Sequence, residues 1–383
     1  MKINNFDVDT FLREYWQKKP MLIRNAFDEP TWLEPDDLAG LSLEEEAESR
    51  IISQKKNTWK VEHGPFDETI YAALPKEDWT LLVQAVDQWV PEVKDILSAF
   101  DFLPSWRLDD VMVSYAPIGG TVSQHFDFFD VFLIQGTGSR KWQVGGVCNS
   151  ESELLPDMAV QILKDFKPEL EFVLQPGDML YIPAKHSHLG VSVEDSLTYS
   201  VGFRAPGIRD IVDGIATTAL ESLMEDERYI DSAESLLAPM GEIPEATINE
   251  VQLMLTKRLL DKSMVASWLG QYVTERKYPD LELIPADYSD YLDRLKEGEP
   301  IYRHAASRFA YTRHKGCTLF VDGRSYEVEP LLAKVLSDSS YIDSRILLEE
   351  LKKPINKRIV HELLQNGALT FENDSEEESD FER

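Results

Sequence analysis

The sequence predicts a mixed α and β chain built on an antiparallel jelly-roll core, followed by helices and a small winged-helix module. Three observations carry that reading. Between Trp106 and Ala205, short apolar or alternating runs are separated by Gly and Pro turns, the pattern of antiparallel strands. After Pro206-Gly207 the apolar residues recur at helical spacing. Beyond Ile301, a hairpin signal precedes three short helical stretches and a last strand-like run. With 383 residues there is room for two or three domains with sizeable cores.

The first element is a helix over 9–16, with Asp9 able to cap it and Pro20 ending it, which runs into a strand at Met21-Leu22-Ile23-Arg24. The core strands are read at 111–115, 131–135, 141–144, 179–182 and 199–203. The next two stretches, 208–224 and 248–273, are helical with acidic residues opposite an apolar stripe. That stripe either packs on the barrel or joins two copies of the chain. Asp322-Gly323 sits between alternating runs and favours a tight primed turn. Helical stretches around 331–336, 344–351 and 357–365 then lead to Gly367 and a strand-like 368–371, the order of a winged helix. The expected divisions are a barrel domain over 1–207, a helical region over 208–298, a winged-helix module over 299–371, and an acidic, disordered tail over 372–383.

Charge narrows the partners. Lys and Arg total 39 against 69 Asp and Glu, a net charge of −30. Such a field repels phosphate backbones and anionic lipid, so direct nucleic-acid binding is not expected, and it attracts a basic protein. The chain has no run of 18 apolar residues to span a membrane. The N-terminus lacks a secretory pattern, and the two cysteines lie far apart; a reducing cytoplasm is the expected compartment.

The chemistry gathers around Ser123 to Phe132. On a strand, His125 and Asp127 project to one face, and an imidazole with a carboxylate suits Fe(II). A third ligand must come from the remaining histidines. His63, His304, His314 and His361 lie outside the barrel stretch, whereas His186 and His188 follow the turn Pro176-Gly177-Asp178 and the run Met179 to Pro183. These two share the same parity, so spacing does not choose between them. Two His and one Asp leave coordination positions open for a co-substrate and dioxygen, unlike a closed structural zinc site. Arg140 follows the turn at 136–139. Facing inward, it requires an anion such as the distal carboxylate of 2-oxoglutarate; facing outward, it is a solvated turn residue.

These residues together resemble the Jumonji-C-type ribosomal oxygenases. The matching runs are His125-Phe126-Asp127, Asp130 to Gly138 with Trp142, Pro176 to Pro183, and Tyr199 to Pro206. Tyr15 to Pro20, Asp37 to Leu41 and Trp79 to Val86 are similar to the bacterial branch, which hydroxylates arginine in large-subunit ribosomal protein L-sixteen. The resemblance implies a double-stranded β-helix (cupin) core, dimerisation through the helices, and Fe(II), 2-oxoglutarate and dioxygen as cofactor and co-substrates. It places the metal ligands on His125, Asp127 and His188, and the co-substrate contacts on Arg140 and Ser114. The implied substrate is a basic ribosomal protein. Hydroxylation of His or Lys, demethylation, or a non-catalytic binding role are the alternatives. Asp130 and Tyr115, close in sequence to the ligands, are candidate partners for a substrate guanidinium. The chain departs from the family pattern at 118–124 and 184–187, both expected to border the cleft.

Overall fold

The computed structural model describes residues 1–371 apart from 29, 56–57, 157, 225, 284–289 and 340. The expected acidic tail over 372–383 therefore lies outside the described residues. By its internal contacts the chain divides into two units, the first comprising Met1–Ala205 and the second beginning at Pro206.

The first unit runs α1 (Val8–Glu14), β1 (Met21–Ile23), α2 (Pro35–Leu41), β2 (Ser49–Lys55), β3 (Thr58–His63), α3 (Thr69–Ala73), β4 (Trp79–Val83), α4 (Pro91–Ile96) and β5 (Leu108–Ala116). It continues through β6 (Val131–Gln135), β7 (Arg140–Val147), β8 (Pro168–Leu174), β9 (Met179–Ile182), β10 (His186–Ser192) and β11 (Ser196–Phe203). Asp7, and not Asp9, caps α1: its carboxylate accepts the Thr10 amide at 2.8 Å, two residues earlier than the sequence suggests. The large sheet has the order β1-β9-β6-β11-β5-β4-β2-β3, and a smaller sheet has the order β10-β7-β8.

Alternation along two central strands decides what each face of the large sheet does. On β11, Leu197, Tyr199, Val201 and Phe203 point into an apolar core shared with Val111 and Val113 of β5 and Phe11 of α1. Residues between them, Thr198 and Ser200 on β11 and Met112 and Ser114 on β5, line a pocket on the opposite face. The two strands are paired so that Thr198 stands opposite Ser114. Across the pocket, β7 turns Trp142 and Val144 inward to a second core with Leu133, Leu174 and Leu180. Its outward residues pair instead with β8, Lys141 to Glu171 at 3.0 Å and Gln143 to Glu171 at 2.7 Å. One sheet therefore carries an apolar support on one face and a polar pocket on the other.

The second unit contains α5 (Ile208–Ser222), α6 (Glu245–Leu259), α7 (Lys262–Thr274), α8 (Tyr291–Glu297), β12 (Ile301–Arg303), β13 (Phe309–Thr312), β14 (Thr318–Val321) and β15 (Arg324–Glu327). It ends with α9 (Pro330–Asp338), β16 (Tyr341–Ile342), α10 (Ser344–Glu350), α11 (Pro354–Gln365) and β17 (Leu369–Thr370). The helical stretch expected over 248–273 is two helices, because Asp261 starts a new one by accepting the amides of Ser263 and Met264. The β14–β15 hairpin turns at Asp322 (φ 49°) and Gly323 (φ 78°), as the Asp-Gly signal predicts. Helix α7 lies close on this hairpin: a Cβ on Gly270 would fall within 2.4 Å of the Phe320 ring.

Candidate active site

The ligand-bearing stretch is not a strand. Between β5 and β6 the chain runs as a loop, and His125 makes only an isolated bridge to His188. The shared face that strand parity assigned to His125 and Asp127 comes instead from pinning the loop on both sides. His125 and His188 exchange backbone hydrogen bonds at 3.0 and 2.8 Å, and the Lys185 amide donates to the Asp127 carbonyl at 2.6 Å. On the other side, the Leu163 amide and the Gln124 side-chain amide each find a carbonyl, Gln124 O at 2.9 Å and Leu163 O at 3.0 Å.

This arrangement gathers His125, Asp127 and His188, whose ligand atoms all lie within 4.8 Å of one another. Among the described residues no other group of three or more His, Cys, Asp or Glu side chains is placed to hold a metal ion. Asp127 Oδ2 is 3.8 Å from His125 Nε2 and 3.6 Å from His188 Nε2. Both Nδ1 atoms face carbonyls, His125 toward Ser123 at 3.0 Å and His188 toward His186 at 3.0 Å. A carbonyl only accepts, so each Nδ1 carries the proton and each Nε2 presents its lone pair. Burial, reinforced by the neighbouring His125, lowers the His188 pKa to about 4, which keeps it in the neutral ligand form.

His186 is not part of the cluster. His186 opens β10 opposite Val147, and a register irregularity, with the extra residue on β7, separates it from His188.

Arg140 opens β7 and is 2% exposed. Of the two readings the sequence left open, the inward one holds. Its guanidinium donates to Ser114 Oγ at 3.2 Å and lies 5.0 Å from the Trp142 ring centroid. Among the described residues no carboxylate pairs with it, and burial lowers its pKa to about 10. Arg140 Nε, Trp142 Nε1 and Thr198 Oγ1 are buried without a hydrogen-bond partner, and all three residues line the pocket that also holds His125, Asp127 and His188. A buried cation with polar atoms left open is the lining an anionic ligand requires. Trp142 and Thr198 were not singled out as site residues from the sequence. The signal was there for Trp142, which lies two residues from Arg140 on one strand and so shares its face.

Two expectations fail. The Asp130 carboxylate is 2% exposed and committed internally, accepting from Tyr181 Oη at 2.6 Å and Gln17 Nε2 at 3.1 Å, with Arg107 at 3.5 Å. Tyr115 packs on the apolar core, its ring 5.6 Å from that of Trp79, because it alternates with Ser114 and faces away from the pocket. Neither residue lines the pocket.

A model described as the JmjC domain matches residues 95–211, and one described as a ROXA-like winged helix matches residues 256–370. The chain is 33% identical over 300 residues to ribosomal protein uL16 3-hydroxylase of Escherichia coli (strain K12), spanning 76% of this chain and 79% of that protein. The chain belongs to the JmjC ribosomal oxygenases. A probable ribosomal oxygenase of Haemophilus influenzae is 43% identical over 211 residues, 54% of this chain and 52% of its own length. Among solved structures of this family, E. coli YcfD in complex with cobalt and succinic acid superposes with a TM-score of 0.85 at 29% identity, covering 97% of this chain and 99% of that one. YcfD with cobalt and 2-oxoglutarate gives 0.82 at 28% identity, with coverage of 97% and 99%. The JmjC core and the winged helix expected from the sequence are thus both present.

Proposed function

We propose that the chain is an Fe(II)- and 2-oxoglutarate-dependent hydroxylase that places one hydroxyl on an arginine side-chain carbon of large-subunit ribosomal protein uL16. The observation that carries this reading is the three-ligand cluster opening onto the same pocket as a buried, carboxylate-free arginine. The donor set fits the metal, since two neutral imidazoles and a carboxylate without thiolate suit Fe(II). His125, Asp127 and His188 would hold it. The polar atoms left open on Arg140, Trp142 and Thr198 fit a dicarboxylate, with Ser114 orienting the guanidinium. When bound, the iron and 2-oxoglutarate supply an oxidation by dioxygen that leaves succinate, carbon dioxide and a hydroxylated substrate carbon.

The protein's own part is positional. The Nδ1–H contacts to Ser123 and His186 aim two Nε2 lone pairs at one point. Arg140 holds the far carboxylate, and the apolar core behind β5 and β11 keeps the pocket floor rigid. A net charge of −30 draws a strongly basic substrate toward the protein.

The same reading extends to assembly and location. Ile208, Val212 and Leu220 of α5 and Ile248, Val251 and Leu255 of α6 are exposed, a stripe suited to a homodimer. A division into 1–207, 208–298 and 299–371 follows these roles, and a ribosomal substrate favours a cytoplasmic location. No helix among the described residues is long and apolar enough to cross a membrane.

Intact mass spectrometry of ribosomal proteins incubated with the enzyme, Fe(II), 2-oxoglutarate and air tests the assignment. A one-oxygen gain on uL16, located at an arginine by fragmentation and absent with His188→Ala, supports it. Succinate formation without any gain on uL16 removes the substrate and leaves the metal centre.

A further inference from the structure

Two residues beside the cluster hold backbone conformations that residues with side chains rarely adopt. Ser123 has φ 72° and Lys185 has φ 68°, both in the left-handed region. Each turns a main-chain group toward a member of the cluster. The Ser123 carbonyl stands 3.0 Å from His125 Nδ1, and the Lys185 amide donates to the Asp127 carbonyl at 2.6 Å. Both conformations are held in place from outside: the Ser123 amide donates to Thr121 Oγ1 at 3.0 Å, and the Lys185 carbonyl accepts the Cys148 amide at 2.7 Å.

We infer that Ser123 and Lys185 are positioning residues that orient His125 and the Asp127 backbone through their left-handed main chain, ahead of metal binding, and not through their side chains. The Ser123 hydroxyl is engaged with Gln124 Oε1 at 3.0 Å, and Lys185 is exposed, so neither side chain is placed as a ligand. A right-handed or extended backbone at 123 would swing its carbonyl off the imidazole. The proton on His125 Nδ1 would then lose the partner that fixes its tautomer. The same change at 185 would release the Asp127 carbonyl and loosen the loop that sets where the carboxylate sits. Strain of this kind persists where surrounding contacts over-determine it, and here those contacts converge on the ligands.

Metal affinity should therefore follow how readily each position accepts a left-handed backbone. The test is a Co(II) titration of the full chain, read by visible absorption, with the denaturant midpoint of the metal-free protein measured alongside. Lys185→Gly and Ser123→Gly should bind Co(II) as well as the parent or better, with the same spectrum, because glycine adopts this region freely. Lys185→Ala should match the parent, since alanine keeps the Cβ and removes only the ammonium. Lys185→Val, which resists a left-handed backbone, should bind about tenfold more weakly with an altered spectrum, more than its change in metal-free stability accounts for. Parent-like affinity and spectrum in a folded Lys185→Val overturn the inference. A comparable loss in Lys185→Gly or Lys185→Ala also overturns it, by assigning the effect to the side chain, and these two decide the matter where the valine variant does not fold. The inference rests on the metal-centre reading: a parent chain that binds no Co(II) would count against that reading, whereas normal parent binding with an indifferent Lys185→Val counts against this inference alone.

Discussion

Gly190 stands directly opposite Trp142 in the β7–β10 register, and the indole fills the space a side chain at 190 would need. A Cβ there would come within 2.7 Å of the Trp142 ring and 3.0 Å of Arg140 Nε. Two pocket residues with buried polar atoms left open, Trp142 and Arg140, are therefore seated against one glycine.

Gly190→Ala should push the indole or the guanidinium out of place. Overpacking of this kind costs about 1–3 kcal/mol of stability. The expected signature is selective: the KM for 2-oxoglutarate rises about tenfold or more as a misplaced contact weakens, while Co(II) affinity holds. Parallel titrations of metal and co-substrate check it, and equal losses in both would refute it.

Arg140 carries a buried positive charge with no carboxylate beside it in the free protein. Arg140→Met keeps the length of the side chain and removes the desolvated charge, so the metal-free variant should be as stable as the parent or more so, by about 1–4 kcal/mol. The parent should gain about 2.7 kcal/mol from 2-oxoglutarate at a hundred times its Kd in the presence of metal, and the variant should gain none. Denaturant melts with and without co-substrate measure both effects. A variant that unfolds earlier yet keeps the co-substrate gain would contradict the assignment.

His188 sets a pH dependence. Its folded-state pKa of about 4 lies below the ordinary 6.5, so the unfolded chain binds this proton more readily. The metal-free protein should feel no penalty from His188 above pH 6.5 and should lose stability as pH falls from 6.5 toward 4, by roughly 3 kcal/mol in all. In His188→Gln that share of the acid dependence should vanish. Stability measured at half-unit pH steps for both proteins gives the comparison.

Tyr181 links the turn that follows α1 to Asp130, at the end of the loop that carries Asp127. Its hydroxyl donates to Asp130 at 2.6 Å and accepts the Gln17 amide at 2.7 Å. Tyr181→Phe leaves a buried carboxylate and a backbone donor short of one partner each, a loss of about 1–3 kcal/mol. Unfolding should shift accordingly, with the Co(II) spectrum unchanged.

Much of the architecture was legible because it rests on local signals. The Asp-Gly turn, the strands β5, β6, β7, β9 and β11 and the helices of the last module follow from periodicity and turn chemistry, whereas β8 and β10 were not among the strands read. The strands β2 to β4, which extend the large sheet, were not read from the sequence. In the site, His125 and Asp127 do come together, but through a loop pinned by Lys185, His188 and Leu163 and not through the strand that was expected. Spacing alone did not separate His186 from His188, because what brings His188 to the cluster is its backbone pairing with His125 on a distant loop. Asp130 and Tyr115 misled because nearness in sequence does not fix where a side chain points: one is buried in a network with Gln17, Tyr181 and Arg107, and the other faces the core. The cap moved from Asp9 to Asp7 for a simpler reason, that only the earlier carboxylate reaches a free amide of the first turn.

The pocket's charged lining among the described residues is one carboxylate, Asp127, and one guanidinium, Arg140, while His125 and His188, each with its proton on Nδ1 and a free Nε2 lone pair, add no charge. By itself that lining is electrically balanced. A divalent cation alone would leave it two charges positive, and a dicarboxylate alone two charges negative, in a space partly screened from water. Only the pair restores neutrality. Cation and dianion should therefore favour each other's binding, and by thermodynamic reciprocity each should tighten the other by the same factor.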